Sequence, residues 1–130
     1  MTEPAATAEA LQEALRLQRE AAAQGFDWTD PAGLWDKLAE EIGELREAPD
    51  AAGRAEELGD LLFMVVNLSR HLGVDPTAAL AAANAKFSRR YGHILKHLDH
   101  LPPLGDASRL DAMERLWQAA KALERTAKKG

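Results

Sequence analysis

The 130-residue sequence contains no cysteine, few β-branched residues and no long apolar run. The absence of cysteine excludes disulfides, thiolate metal sites and a cysteine nucleophile. Valine, isoleucine and threonine together number only ten, which leaves little from which to build a β-sheet. The longest apolar run, Leu61 to Val66, is far shorter than the roughly 18 residues of a membrane-spanning segment. The sequence therefore predicts an all-α protein without a membrane span.

An excess of basic residues is missing as well. The chain carries 16 Lys and Arg against 21 Asp and Glu, a net charge of −5 and a sequence pI near 5.4. This balance argues against a general nucleic-acid-binding protein. The first ten residues, MTEPAATAEA, are unlike a signal peptide, and we expect a cytoplasmic protein. A Gly-x-x-x-x-Gly-Lys phosphate loop is absent, which excludes NTPases of that class.

Ala, Leu, Glu and Arg dominate instead, and turn residues divide the chain into five helical segments. Asp30-Pro31 and Asp75-Pro76 supply helix starts, because Asp caps an N-terminus and Pro fits the first turn. Gly73 suits a C-terminal cap, and Pro102-Pro103 stops the fourth segment. We predict one domain over residues 1–130, a four- to five-helix bundle with helices near 6–23, 31–48, 54–72, 76–98 and 109–128.

The third helix is apolar on all faces, with Leu58, Leu61, Leu62, Phe63, Met64, Val65, Val66 and Leu68 pointing in every direction. A bundle of 14.2 kDa has little room to bury such a helix by itself. Contact with a second copy of the chain is the simplest cover. We therefore predict a homo-oligomer, most simply a dimer formed through helices.

Two helices carry acidic residues at i, i+3 spacing toward or beside the interior. The second helix has Glu40, Glu41 and Glu44, and the third has Glu57 and Asp60. One interpretation is a pair of solvated helix faces. The other is a metal site, because several carboxylates at close range repel one another unless a cation neutralises them. All-oxygen ligands suit Mg²⁺ or Mn²⁺, whereas a di-iron site would add Glu-x-x-His, which is absent.

Basic residues and an aromatic residue complement these acids. The fourth helix presents a basic stripe that consists of Lys86, Arg90, His93 and His97. The second helix adds Lys37, and the fifth adds Trp117 and Lys121, which are four residues apart. Each feature has a simpler interpretation, a solvated face for the stripe and core packing for the Trp. Acids for Mg²⁺, bases for phosphate and a nearby aromatic together indicate a nucleotide polyphosphate site.

The acidic pattern, Glu40-Glu41-x-x-Glu44 followed after twelve residues by Glu57-x-x-Asp60, resembles the signature of the all-α nucleoside triphosphate pyrophosphohydrolases. Within that group the chain resembles the MazG family, especially the second domain of its two-domain members. The resemblance covers about residues 11–125, and the chain departs from the longer members by having one such domain. It extends to four further segments, QGFDW (24–28), EELGDLLFMVVNLSRHLGVDP (56–76), ALAAANAKFSRRY (79–91) and LDAMERLWQAAK (110–121).

The resemblance implies roles for individual residues. Acids matching Glu41, Glu44, Glu57 and Asp60 hold Mg²⁺ in the family, with Mn²⁺ as a possible substitute. Glu40 would polarise the attacking water, and Asn67 is a candidate for the sugar. Trp117 would lie near the nucleotide, and four basic residues would face the phosphates: Lys37, Lys86, Arg90 and Lys121. Lys86 and Arg90 would also assist catalysis. The family fold is a dimerising helical bundle.

The implied reaction is (d)NTP plus water giving (d)NMP plus diphosphate, in nucleotide-pool housecleaning. Such a reaction needs charge neutralisation and alignment more than a covalent nucleophile, which fits the residues present. Two alternatives stay open. One is an enzyme of narrower specificity, such as a dUTP/dCTP hydrolase or a phosphoribosyl-ATP pyrophosphatase, and the other is a non-catalytic helical interaction module.

Overall fold

The computed structural model of the protein describes residues 3–129, which form helices without a strand. The predicted all-α class is confirmed, and so is the predicted number of α-helices. Within this range no helix is both long and apolar enough to cross a lipid bilayer. The helices are α1 (Glu3–Ala23), α2 (Pro31–Glu47), α3 (Ala51–His71), α4 (Pro76–Leu95) and α5 (Ser108–Lys129), with a 3-10 helix at Leu98–His100.

Asp residues begin the two helices that carry the acidic motifs. Asp30 accepts a hydrogen bond from the Ala32 amide at 2.9 Å, directly before Pro31. Asp50 accepts one from the Gly53 amide at 2.7 Å, so α3 begins three residues earlier than predicted. The reason is that Asp50 acts as an N-cap within residues 49–53, which lie between the second and third predicted helices. Both helices are therefore fixed at the ends that precede their acids.

The chain divides after Ala79 into two compact units. The first contains α1, α2 and α3, and α3 contacts both of the other helices. Its apolar core consists of Leu34, Leu38 and Met64, with Leu61 and Leu68 packed against them. This core joins α2 to α3 and so holds the two acidic motifs in one place.

Glu41 occupies a position on the buried face of α2. The buried residues of this helix are Leu34, Leu38 and Glu41, at spacings of four and three residues. Ile42 follows Leu38 by four residues, as Leu38 follows Leu34, and this spacing predicts Ile42 in the same core stripe. It is instead 49 % exposed, because it is rotated by about 100° from the buried Glu41 around the helix. The fold thus buries a carboxylate where the apolar pattern predicts an isoleucine.

The second unit contains most of α4 and all of α5. Ile94 and Ala120 are buried there. The Phe87 ring lies 5.7 Å from that of Tyr91 and 5.5 Å from that of Trp117, measured between ring centroids. The Phe87–Trp117 contact joins α4 to α5.

Candidate functional site

Three of the four predicted metal ligands come together between α2 and α3. Glu41, Glu44 and Glu57 each offer one carboxylate oxygen, and these oxygens all lie within 4.8 Å of one another. Glu41 is buried, Glu57 is half-buried and Glu44 is exposed. Since Glu41 and Glu44 share a face of α2, one turn of that helix meets one turn of α3. The resulting carboxylate cluster opens to solvent on the Glu44 side.

The carboxylate cluster has more negative charge than its protein partners neutralise. Oε2 of Glu41 and Oε2 of Glu57 are both buried without a hydrogen-bond partner. The neighbouring cation is Lys37, whose Nζ lies 3.2 Å from Oε1 of Glu41. Repulsion from Glu41, together with desolvation and repulsion from Glu57, raises the pKa of Glu44. Three carboxylates held together, two of them with a buried oxygen that lacks a protein partner, fit a hard divalent cation such as Mg²⁺.

The other two acids of the motif lie at the edge of this cluster. Glu40 is exposed, and its Oε1 lies 3.4 Å from the same Lys37 Nζ. Asp60 is exposed one turn beyond Glu57 on α3 and is not a member of the three-carboxylate group. Both carboxylates are therefore accessible to solvent beside the cluster.

A second polar group in the first unit joins α1, the α1–α2 segment and α3. Arg70 donates to Asp27 through Nη1 at 3.1 Å and Nη2 at 2.8 Å. It also donates to Oδ1 of Asn67 at 2.8 Å and, more weakly, to Oε1 of Gln18 at 3.4 Å. Nε2 of His71 lies 3.0 Å from Oδ1 of Asp27. Hydrogen bonding to Arg70 above all holds the pKa of Asp27 well below its ordinary range.

This Arg70 network borders a cavity of about 560 Å³. The cavity lies wholly within the first unit and is lined by Leu17, Gln18, Ala21, Phe26, Asp27, Trp28, Phe63, Asn67 and Arg70. Apolar walls with a few convergent polar groups are typical of small-molecule sites. Asn67, the predicted sugar contact, is 8 % exposed and belongs to this wall.

The basic and aromatic residues of α4 and α5 belong to the second unit. Nη2 of Arg90 lies 2.9 Å from Oε1 of Glu124, and its guanidinium carbon lies 5.4 Å from the centroid of the Trp117 ring. Pairing with Arg90, and with Arg89, lowers the pKa of Glu124 to about 2. Lys86 is exposed and Lys121 is half-buried. Trp117 therefore packs within its unit while one side of its ring carries a cation.

Sequence reasoning missed the Arg70 network. Gln18 gives no signal, because a Gln in a helix rich in Glu, Gln and Arg is indistinguishable from a surface residue. Asn67 and Arg70 did carry a signal, since they are three residues apart and share a face of α3. An Asn inside an apolar run requires a partner, and Arg70 was the basic residue within reach. Asp27 lies in the QGFDW segment, where no role was assigned to it.

These observations define a class of protein, an all-α fold in which two helices bring three carboxylates together. Comparison with known proteins identifies the family. Residues 30–95 match the MazG nucleotide pyrophosphohydrolase domain, a range that contains α2, α3 and α4. The chain belongs to the MazG family, and the resemblance found in the sequence is confirmed.

Two relatives cover most of the chain. It is 40 % identical over 117 residues to the nucleoside triphosphate pyrophosphohydrolase/pyrophosphatase MazG of Thermotoga maritima, across 90 % of this chain and 46 % of that protein. It is 41 % identical over 120 residues to the nucleoside triphosphate pyrophosphohydrolase of Escherichia coli, across 88 % and 46 % respectively. The uncharacterized protein YabN of Bacillus subtilis is 40 % identical over 80 residues, or 16 % of its length. The chain thus spans about half the length of its first two relatives.

Proposed function

We propose that the protein is a divalent-metal-dependent nucleoside triphosphate pyrophosphohydrolase that converts (d)NTP and water to (d)NMP and diphosphate. The observation that carries the proposal is the carboxylate cluster with its unpartnered buried oxygens, located within the range that matches the MazG domain. The names of the two relatives from Thermotoga maritima and Escherichia coli supply the reaction. Mg²⁺ is the proposed ion, with Mn²⁺ as a substitute.

In this proposal Glu41, Glu44 and Glu57 hold the cation, and Asp60 completes the set from the next turn of α3. The cation supplies charge neutralisation and polarisation of the phosphate when bound. Glu40 lies beside the ligands rather than among them, because adjacent helical residues diverge by about 100°. There it accepts the proton of the water that attacks the phosphate.

The remaining predicted contacts stay proposals of the same kind. Lys37 binds phosphate from its position beside the cluster, and Asn67 contacts the nucleoside. In the second unit Lys86, Arg90 and Lys121 bind phosphate and stabilise the leaving diphosphate, and Trp117 binds the nucleotide. Arg90 is already held by Glu124, so its guanidinium is fixed before any substrate binds.

Assembly, location and cellular role extend this proposal. Four apolar residues of α3, between 41 and 59 % exposed, support a homodimer in which a second copy covers this face: Leu58, Leu62, Phe63 and Val65. Light scattering at micromolar concentration should give twice the chain mass, and a monomer would contradict the dimer. We further propose a cytoplasmic housecleaning enzyme that binds neither nucleic acid nor membrane.

The direct experiment is an assay with the eight common ribo- and deoxyribonucleoside triphosphates, with Mg²⁺, with Mn²⁺ and with EDTA. Anion-exchange chromatography should show nucleoside monophosphate and inorganic diphosphate in equal amounts when a metal ion is present. With EDTA there should be no turnover. Turnover of nucleotides with several different bases supports the housecleaning role. Turnover of nucleotides with a single base indicates a narrower specificity. Nucleoside diphosphate with orthophosphate, or no turnover under any condition, would contradict the proposal.

A further inference from the structure

A groove between α4 and α5 is lined by basic residues that the proposed function does not use. Its volume is about 430 Å³, and it lies wholly within the second unit. Arg89, His93 and Lys96 line it from α4. Among the described residues that line the groove, the single carboxylate is that of Glu124 on α5.

Glu124 does not cancel the positive charge of the groove, because two arginines share its carboxylate. Arg90 donates to it from Nε at 3.2 Å and from Nη2 at 2.9 Å, and Arg89 donates from Nε at 2.9 Å. Hydrogen bonding to Arg90 above all lowers the pKa of Glu124 to about 2, so the carboxylate is ionised at neutral pH. One negative charge therefore stands against two guanidinium charges, and Lys96 adds a further positive charge to the groove.

Arg89 is anchored in a way that leaves its two terminal nitrogens available. Its bond to Glu124 uses Nε, and Nη1 and Nη2 have no hydrogen-bond partner among the side chains that the structure describes. These two nitrogens belong to the planar fork with which arginine binds two oxygens of a phosphate group. The Arg89 side chain is 59 % exposed, so an anion from solution can reach it.

The spacing of the cations along α4 indicates the size of the anion. Arg89 and Lys96 are seven residues apart, which is about 10 Å along the helix axis, and His93 lies between them on the same face. Gly92 also lines the groove, and a Cβ at this position would meet no neighbouring group within 4 Å. An open groove with positive charge at two separated points fits two linked phosphate groups better than a single phosphate.

We propose that this groove binds inorganic diphosphate, with the fork of Arg89 on one phosphate group and the ammonium group of Lys96 on the other. Glu124, itself held by Arg90, anchors the fork. The inference goes beyond the proposed function, because it places a second phosphate-binding site on residues other than those proposed to bind the substrate, namely Lys37, Lys86, Arg90 and Lys121.

Calorimetric titration of the full chain with inorganic diphosphate in EDTA tests the site without metal or turnover. Arg89→Gln removes the fork, and the fold should be retained because Arg90 still holds Glu124. We expect Kd for diphosphate to rise by about tenfold or more, since a charge-assisted bidentate contact is lost. In Lys96→Gln the rise should be about threefold, as for an exposed single charge.

Arg125→Gln is the matched control for these variants. It removes the same charge from an exposed position of α5 that is not among the groove residues, and it should change Kd by less than about twofold. Equal weakening in Arg89→Gln and Arg125→Gln would overturn the proposal, because it would show only a general attraction of anions to a positive surface. The absence of binding to the wild type would overturn it as well.

Gly92→Leu tests the groove without any change of charge. Leucine fills the open space beside Gly92 and favours a helix more than glycine does, so circular dichroism should show an intact helical fold. We expect diphosphate binding to weaken by about tenfold, since burying the approach to the Arg89 fork excludes the anion. Unchanged binding in a folded Gly92→Leu protein would overturn the proposal.

Two further titrations separate this site from other phosphate sites. If Lys121→Gln abolishes diphosphate binding in EDTA while Arg89→Gln does not, diphosphate binds only at the proposed substrate contacts. The inference then fails and the proposed function stands. A wild type that binds diphosphate through Arg89 but turns over no nucleotide retains the groove and loses the proposed function. ADP that binds through Arg89 more tightly than diphosphate would overturn the assignment to free diphosphate in favour of the phosphate groups of a nucleotide.

Discussion

The first unit contains two acidic sites, Asp27 in the Arg70 network and the carboxylate cluster, that differ in how their negative charge is balanced. Asp27 receives two hydrogen bonds from Arg70 and lies 3.0 Å from His71, and its pKa lies well below its ordinary range. In the carboxylate cluster two buried oxygens have no partner, and the pKa of Glu44 is raised. One group is complete within the protein, whereas the other lacks positive charge.

The difference separates a structural acid from a candidate ligand. A buried carboxylate is costly unless it is paired and hydrogen-bonded. Asp27 and, in the second unit, Glu124 meet this condition through arginines. Glu41 and Glu57 meet it only in part, because each keeps one buried oxygen without a protein partner. The unbalanced negative charge is the physical reason for proposing a divalent cation at the cluster. The comparison can be tested by substitutions in the cluster and by a substitution of Asp27.

The largest effect on activity is expected when a carboxylate of the cluster is replaced by a neutral side chain. Glu41→Gln should lower kcat/KM by at least about 10³-fold, because one oxygen ligand and its charge are lost from the proposed metal site. The helical fold should remain, and in EDTA the melting temperature should be unchanged or higher, since repulsion within the cluster is relieved. Steady-state kinetics and thermal melts with and without Mg²⁺ measure both effects.

Glu47→Gln is the control for this change. It removes the same charge from an exposed position on α2, and it should retain both activity and the stabilisation by Mg²⁺. A Glu41→Gln protein that is still stabilised by Mg²⁺ to the same extent as the wild type would break the comparison, because the cluster would then not be the site of the ion.

A smaller effect is expected at Glu40, which lies beside the cluster but outside it. Glu40→Gln keeps size and hydrogen bonding but removes the basic carboxylate. We expect kcat to fall by about 10²-fold, at the lower end of the range for a general base, with KM and Mg²⁺ affinity little changed. A loss of Mg²⁺ affinity measured by calorimetry would instead make Glu40 a ligand. Unchanged kcat would make it an ordinary exposed residue.

Replacing Asp27, the acid that is paired within the protein, should change stability rather than activity. Asp27→Asn leaves Arg70 half-buried with a weaker partner, so the free energy of unfolding should fall by about 1–3 kcal/mol. Urea denaturation at pH 7, followed by far-ultraviolet circular dichroism, measures the loss. A variant as stable as the wild type would show that the network does not hold the α1–α2 segment against α3.

The same variant gives the pH dependence of the network. Because the pKa of Asp27 in the folded protein lies below its ordinary value of 3.8, the unfolded chain takes up a proton first as the pH falls. The stabilisation by Asp27 is therefore complete above that value and is lost as the pH falls through the folded pKa. The stability difference between wild type and Asp27→Asn should therefore shrink as the pH falls below the ordinary Asp27 value of 3.8.

The sequence predicted the helices and the acidic motif because both depend on local patterns. Asp30-Pro31 and the spacing of Glu41, Glu44 and Glu57 require only helix geometry to interpret. Ile42 shows where that reasoning stops, since an apolar residue and a carboxylate competed for the same face of α2. The apolar spacing predicts Ile42 in the core and Glu41 on an overlapping face, and the fold buries Glu41 and leaves Ile42 exposed.

The Arg70 network depends on contacts that local patterns do not contain. Arg70 is 43 residues from Asp27 and 52 from Gln18 along the chain. Nothing in a single sequence specifies which acid an arginine will meet at such a separation. The carboxylate cluster could be anticipated because its acids lie at helical spacing on consecutive helices, and the network could not.

The smallest predicted effect concerns Lys37, the one described cation that contacts the cluster through Glu41 at 3.2 Å. Its ammonium group and a bound divalent ion repel each other, so Lys37→Gln should tighten Mg²⁺ binding by about twofold to fivefold, the modest change typical of exposed charges. Lys37→Arg keeps the charge and should leave Mg²⁺ affinity near that of the wild type. Calorimetric titration of the nucleotide-free protein with Mg²⁺ measures the difference. Weaker Mg²⁺ binding in Lys37→Gln would mean that Lys37 orients the Glu41 carboxylate for the ion rather than competing with it, and the cluster would then depend on its protein cation as Asp27 depends on Arg70.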